Sequence, residues 1–184
     1  MRIDKKGLRA RLDDIYKWSV KSGVATVTPN SLRVQWDKVI EELNETLLHV
    51  YFGDKRKLID DIGDVFIAFI NLLNMNKKEQ GVFKKDAERM DRVAAQIKLS
   101  TSEFKFYSTM DKSFLLDCIF STLREAHRLK GVNTKDSDLF RFLSRLLQIY
   151  CLTNGVFGLK ITLRNCIYSS YREIQGRRYE IRVR

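Results

Sequence analysis

Apolar positions along this chain recur every three or four residues, the spacing of helices that each bury one side. Leu8, Leu12, Ile15, Tyr16 and Val20 outline a first helix over about 8–20, closed by Gly23. Thr28-Pro29 is a start signal, a capping hydroxyl followed by Pro at the first helical position. The helix that follows is expected to run to about Val50, with Leu32, Val39, Ile40, Leu43, Leu47 and Val50 on one face. Gly53-Asp54 marks a turn. A third helix is expected over about 57–76, its face formed by Ile59, Ile62, Val65, Phe66, Phe69, Ile70 and Leu73. Residues 77–111 change character: they are charged, poor in large aliphatics until Ile97, and carry Ser100-Thr101-Ser102. A partly helical, exposed excursion is expected there. Helices resume at about 112–129, 138–153 and 159–177, separated by Gly131-Val132-Asn133 and Asn154-Gly155. The second half thus offers another antiparallel pair and a C-terminal helix, a faint echo of the first half that leaves a degenerate duplication open.

Composition narrows the class. A chain of 184 residues with 44% hydrophobic positions can bury one sizeable core, and one Pro with nine Gly argues against a β-sandwich or a disordered chain. The expectation is one all-α domain over 1–184. No apolar run approaches the ~18–20 residues of a membrane span, and Met1 to Lys6 runs into charges instead of a secretory signal. Cys118, Cys151 and Cys166 lie in apolar helical contexts without metal spacing. They read as buried thiols of a cytoplasmic protein. Lys and Arg number 34 against 23 acids, a net charge of +11, concentrated at 2–11, 77–98 and 172–184. Nucleic acid, an anionic surface or a small polyanion such as a nucleotide would suit that balance. So would a plain solvated basic surface.

The acids are placed more tellingly. Glu41, Glu42 and Glu45 form an EExxE pattern on the second helix, and Asp60, Asp61 and Asp64 lie in Leu58-Ile-Asp-Asp-Ile-Gly-Asp-Val65 on the third. At about 100° per residue, Glu42 and Glu45 project within about 60° of each other, as do Asp61 and Asp64. Each pair borders the apolar stripe instead of opposing it. The short connection makes the helices antiparallel neighbours, so the pairs can face each other across the seam. Four carboxylates gathered beside an apolar seam repel strongly unless a divalent cation sits among them. All-oxygen ligands favour Mg²⁺ or Mn²⁺ over zinc. Such an ion, with open positions for phosphate oxygens, serves phosphoanhydride cleavage. Gly63 would let a backbone or ligand approach closely. Each motif also has a plain structural reading: EExxE occurs on solvated helices, and Asp-Asp-Ile-Gly-Asp suits the positive end of a helix.

Together the motifs resemble the MazG-like, all-α nucleoside triphosphate pyrophosphohydrolases, whose signature is EExxE followed by acid-x-x-Asp on a second helix. Gln35-x-x-Lys38-x-x-Glu41-Glu42 is similar to the Q-x-x-K-x-x-E-E run of the phage-encoded branch. Ile15-Tyr-Lys-Trp18 is similar to its first helix, and Asp-Ile-Gly-Asp64-Val with Asn71 to its "GDV…N" helix. Cys166-Ile-Tyr-Ser-Ser-Tyr171-Arg-Glu173-Ile174 resembles its C-terminal helix. The matched blocks are about 15–76 and 158–179. Asp61 stands where the family usually has Glu, and Arg172 and Gln175 replace its Asn and Lys. The resemblance implies a MazG-like helical bundle hydrolysing a nucleoside or deoxynucleoside triphosphate to the monophosphate and pyrophosphate. It implies Glu42, Glu45, Asp61 and Asp64 as Mg²⁺ (or Mn²⁺) ligands, and Glu41 as an outer-sphere group orienting the attacking water. It implies Lys38, Asn71, Arg177 and Arg178 as substrate contacts, and a dimer or tetramer unless the second half substitutes for the neighbour. Lys38 equally suits a surface ion pair with Glu41, Asn71 a buried structural amide, and the two Arg a solvated terminus.

Other chemistry is thin. His49 and His127 are single and lack ligand spacing, and no GxxxxGK[ST], GxGxxG or GxSxG occurs. Trp18 and Trp36 read as core residues, with a base-stacking role for Trp36 as the rival. Two other classes stay open: a nucleotide-binding sensor or inhibitory protein with little turnover, and a basic nucleic-acid-binding helical protein.

Overall fold

A computed structural model describes residues 7–22, 29–79, 92–97, 110–130 and 134–176. These are helical almost throughout, and no strand occurs among them. The all-α expectation holds. In chain order the helices are α1 (Leu8–Lys21), α2 (Pro29–Phe52), α3 (Lys55–Glu79), a short stretch at 92–97, α4 (Lys112–Lys130), α5 (Asp136–Phe157) and α6 (Leu163–Gly176).

The turn between α2 and α3 follows from its two linking residues. Gly53 adopts φ 75°, and the amides of Gly53 and Asp54 both donate to the His49 carbonyl, closing α2. Asp54 Oδ1 then accepts from the amides of Arg56 and Lys57 and opens α3. A two-residue link forces an antiparallel hairpin. Its register is read from Gln35 Nε2, which donates to the Ala68 carbonyl at 2.8 Å at one end, and from His49 against Asp61 at the other.

Helix α4 runs antiparallel to α2, with Lys112 donating to the Tyr51 carbonyl at one end and Lys130 paired with Asp37 at the other. Asp111 caps α4 by accepting from the Phe114 amide at 2.9 Å. Helix α5 packs back on α4, and α6 lies antiparallel on α3, which also meets α1 and α5. Helix α3 is therefore the central element, and Val65, Phe66, Phe69, Ile70, Leu72 and Leu73 are buried around it.

The end of α5 and the start of α6 differ from the pattern-based reading. Helix α5 passes through Asn154-Gly155 and ends at Gly158, whose φ of 60° is the left-handed stop. Asn154 is not a breaker: its Oδ1 accepts from the Ile161 amide and ties down the link to α6. Thr162 Oγ1 accepts from the Asn165 amide, so α6 opens later than 159. Within 77–111, the described stretch 92–97 is helical and amphipathic, with Arg92 and Ala95 exposed, Val93 and Ile97 buried, and Gln96 donating to the Phe140 carbonyl. No helix among the described residues is long and apolar enough to cross a membrane.

Candidate functional site

The hairpin register decides which side chains meet. On α2, Glu42, Glu45 and His49 follow one another at three- and four-residue steps along the side turned to α3. Glu42 is only 6% exposed, and Lys38, one turn earlier, reaches its Oε1 at 2.7 Å and Glu41 Oε2 at 3.1 Å. Lys38 thus does more than the surface pairing with Glu41, while its side chain stays 49% exposed. On α3, Asp61 is also 6% exposed, and its Oδ2 lies 2.6 Å from His49 Nδ1. Asp64, one turn on, is half-buried.

Helix α6 closes the third side. Ser169 donates to Asp60 Oδ1 at 2.7 Å and Ser170 to the Asp60 carbonyl at 2.9 Å. This approach depends on Gly63, where any Cβ would collide with Ser170 Oγ and the Cys166 carbonyl. The close contact that Gly63 permits is therefore with the backbone of α6.

Burial and mutual repulsion push three of these carboxyls upward. Burial is the first cause for Glu42, opposed by Lys38 and reinforced by Glu45 and Glu41. For Asp61 it is again burial, opposed by the His49 bond and reinforced by Glu45 and Glu42. Asp64 rises to about 7, through burial first and then Glu42, with the Ser170 hydroxyl working the other way and Glu173 and Asp60 adding to the rise. Lys38 moves upward too: burial opposes its charge, but its bonds to Glu42 and Glu41 outweigh that.

Across the α2–α3 seam, Asp61 thus feels Glu45 and Glu42, and Asp64 feels Glu42. An oxygen-rich cluster whose acids are pushed upward by burial first and by neighbouring carboxylates second has the donor chemistry a divalent ion would satisfy. Among the described residues, no group of three or more His, Cys, Asp or Glu forms a ready metal cage. Lys38 and His49 occupy Glu42 and Asp61 instead.

Glu42 and Glu45 of α2 meet Asp61 and Asp64 of α3 along the middle of the hairpin, with Lys38 beside Glu41 and Glu42 on α2. Asn71 sits two turns further along α3, about 10 Å from Asp64 at 1.5 Å per residue, and is 4% exposed. Its Oδ1 is buried without a hydrogen-bond partner. Arg177 and Arg178 lie outside the described residues. Trp36 is core, 3% exposed and edge-on to Phe142 at 5.2 Å.

Sequence reasoning passed over three features. His49 was signalled by its place four residues after Glu45, on the same side of the helix. Ser169 and Ser170 gave no signal, because only the fold sets α6 against α3. Asn74, 2% exposed with both Oδ1 and Nδ2 orphaned, looks like any polar helix residue in sequence. Compared with protein-family models, curated proteins and solved structures, the chain matches none.

Proposed function

We propose that this chain is a divalent-cation-dependent hydrolase of the MazG-like type, cleaving a nucleoside or deoxynucleoside triphosphate to the monophosphate and pyrophosphate. One observation carries the proposal: acids from two antiparallel helices meet on a half-buried seam, where burial first and then the charge of Glu42 push Asp64 up to about 7. Plain solvated helix faces would not do this, because exposed carboxylates spread apart in water.

Glu42, Glu45, Asp61 and Asp64 would hold the ion. When bound, Mg²⁺ or Mn²⁺ supplies charge neutralisation at the phosphate oxygens and a more acidic water. Glu41, exposed and adjacent, orients the attacking water and takes its proton. The water oxygen bonds to the α-phosphorus, the bridging P–O bond to the β-phosphate breaks, and pyrophosphate leaves. Lys38, freed from Glu42, turns its half-exposed ammonium to a phosphate. Asn71 and Asn74 offer orphaned amide atoms about 10–15 Å along α3 from Asp64, a reach suited to the nucleoside end.

Leu48, Tyr51 and Phe52 on α2 and Phe114 on α4 are exposed apolar side chains, a surface for the proposed homo-oligomer. A light-scattering mass of one chain would remove that partner. Cys118 and Cys166 as free thiols accord with a cytoplasmic setting.

A second reading has its own support. Lys38 and His49 already satisfy Glu42 and Asp61, as they would in a nucleotide sensor with little turnover. A nucleic-acid surface is less favoured, because Arg128, Arg141 and Arg145 converge on Glu125.

The test is turnover of a triphosphate panel with Mg²⁺ or Mn²⁺, products resolved, with Glu42→Gln alongside. Monophosphate and pyrophosphate, lost in the variant, support the hydrolase. Tight nucleotide binding without product would replace it with the sensor.

A further inference from the structure

We propose that Arg128, Arg141 and Arg145, gathered on Glu125 between α4 and α5, form an anion site that takes a phosphate group, free or as a monoester. The inference stands apart from the hydrolase reading, because α4 and α5 carry none of the proposed metal ligands.

Two helices direct cations at one carboxylate. The Glu125 side chain is 14% exposed, and Arg128 Nη2, on the same helix, lies 3.0 Å from its Oε1. Arg141 Nη2 of α5 lies 3.1 Å from the same oxygen. Arg145, one turn further along α5, brings Nη2 to 3.9 Å from Oε2 and donates through Nη1 to Ser121 Oγ at 3.3 Å. Asp138 accepts from Arg141 at 3.0 Å and is the other acid of the group. Three guanidiniums thus meet two carboxylates, and the group keeps a positive excess.

A structural tie between α4 and α5 needs less than this. The Arg128–Glu125 and Arg141–Asp138 pairs each lie three residues apart within one helix, so they join nothing across the seam. Exposed ion pairs add little to stability in water, and the arginine side chains are 53%, 55% and 37% exposed. Burial opposes the charge of Glu125, but Arg128, Arg141 and Arg145 outweigh it and hold its carboxyl below the usual range. The guanidiniums are held in place with donors to spare. Arg128 and Arg141 bond through Nη2, and their Nη1 and Nε groups have no hydrogen-bond partner among the described residues.

Phosphate fits such a group by charge and by shape. A phosphate monoester near neutral pH carries close to two negative charges and three acceptor oxygens, one for each guanidinium. Planar guanidinium forks bond phosphate oxygens in pairs. A ligand carboxylate brings one charge and two oxygens, which Glu125 already supplies. A nucleic acid needs cations spread along a track, whereas these three meet at one point. An incoming phosphate takes over the N–H groups that Glu125 holds, so Glu125 is its competitor.

The experiment is calorimetric titration of the full chain with inorganic phosphate and with O-phosphoserine, in EDTA and at an ionic strength fixed by chloride. Wild type, Arg141→Gln and Glu125→Gln are compared. Expected are saturable binding by the wild type, binding weakened about fivefold or more in Arg141→Gln, and tighter binding in Glu125→Gln, where the competing charge is gone. Tighter binding of phosphoserine than of phosphate supports the site as one for a phosphate ester, and the reverse order supports it as one for the free ion. No heat beyond that of added chloride would overturn the inference. So would equal affinity in all three proteins, which puts the ion elsewhere, or weaker binding in Glu125→Gln, which makes the cluster a structural unit. Should Glu125→Gln fail to fold, Arg141→Gln decides alone, since that side chain is 55% exposed.

Discussion

Lys38 Nζ lies 2.7 Å from Glu42 Oε1, so the most buried glutamate of the EExxE run is neutralised from within its own helix. A cation from solution would have to displace that ammonium. Lys38→Ala is expected to bind Mn²⁺ several-fold more tightly than the wild type. Its metal-free stability should drop by less than about 1 kcal/mol, because the half-exposed ammonium is screened by water. Calorimetry and thermal melts measure the two effects. Unchanged metal affinity would mean that Glu42 is not a ligand.

Asp64 rises to about 7 through burial and then the negative charge of Glu42, Glu173 and Asp60. A raised carboxyl favours the neutral form in the fold. Its contribution is complete below the unfolded carboxyl range near 4 and is lost as pH climbs through about 7. Glu42 and Asp61 shift in the same direction. The metal-free melting temperature is therefore expected to fall between about pH 4 and pH 7.5. Added Mn²⁺ should restore it at the upper end. A profile rising over that window would contradict the clustered acids.

Gly63→Ala would drive a methyl into Ser170 Oγ and the Cys166 carbonyl. The hydroxyl can rotate away, but a helix carbonyl cannot. Overpacking of this kind costs about 1–3 kcal/mol, against a helix-propensity gain of about 1 kcal/mol. A lower melting temperature is expected, and an unchanged or higher one would show that α6 can lift from α3 at no cost.

Asn74 buries an amide whose oxygen and nitrogen both lack partners. Each orphaned group costs about 1–3 kcal/mol in such a setting. Asn74→Leu is expected to raise the melting temperature while raising KM for the triphosphate and leaving kcat near its original value. Stabilisation with unchanged KM would make Asn74 a plain structural liability.

Much of the fold was legible before any coordinates. Helical periodicity, Gly53-Asp54 and the Pro29 start together define the α2–α3 hairpin, because local spacing and turn chemistry act within a few residues. The facing of Glu42 and Glu45 toward Asp61 and Asp64 followed from the same spacing. What the pattern could not carry was anything set by distant chain. Gly63 is a contact point for Cys166 and Ser170, more than a hundred residues on. His49 reads as an isolated histidine until the hairpin sets it against Asp61. Asn154 looks like a helix breaker until its side chain is seen to accept from Ile161.

The central claim is that α2 and α3 share one divalent ion through Glu42, Glu45, Asp61 and Asp64. Titration of the chain with Mn²⁺ in two buffers of different ionisation enthalpy, at pH 6.5 and pH 8, counts protons released on binding. The wild type should release more protons at pH 6.5 than at pH 8, since Asp64 is still partly protonated at the lower value. Asp64→Asn should lose most of the affinity, by more than the 10–100-fold typical of groups that only support a ligand. Equal, weak Mn²⁺ binding by both proteins, with no proton release at either pH, would contradict the claim.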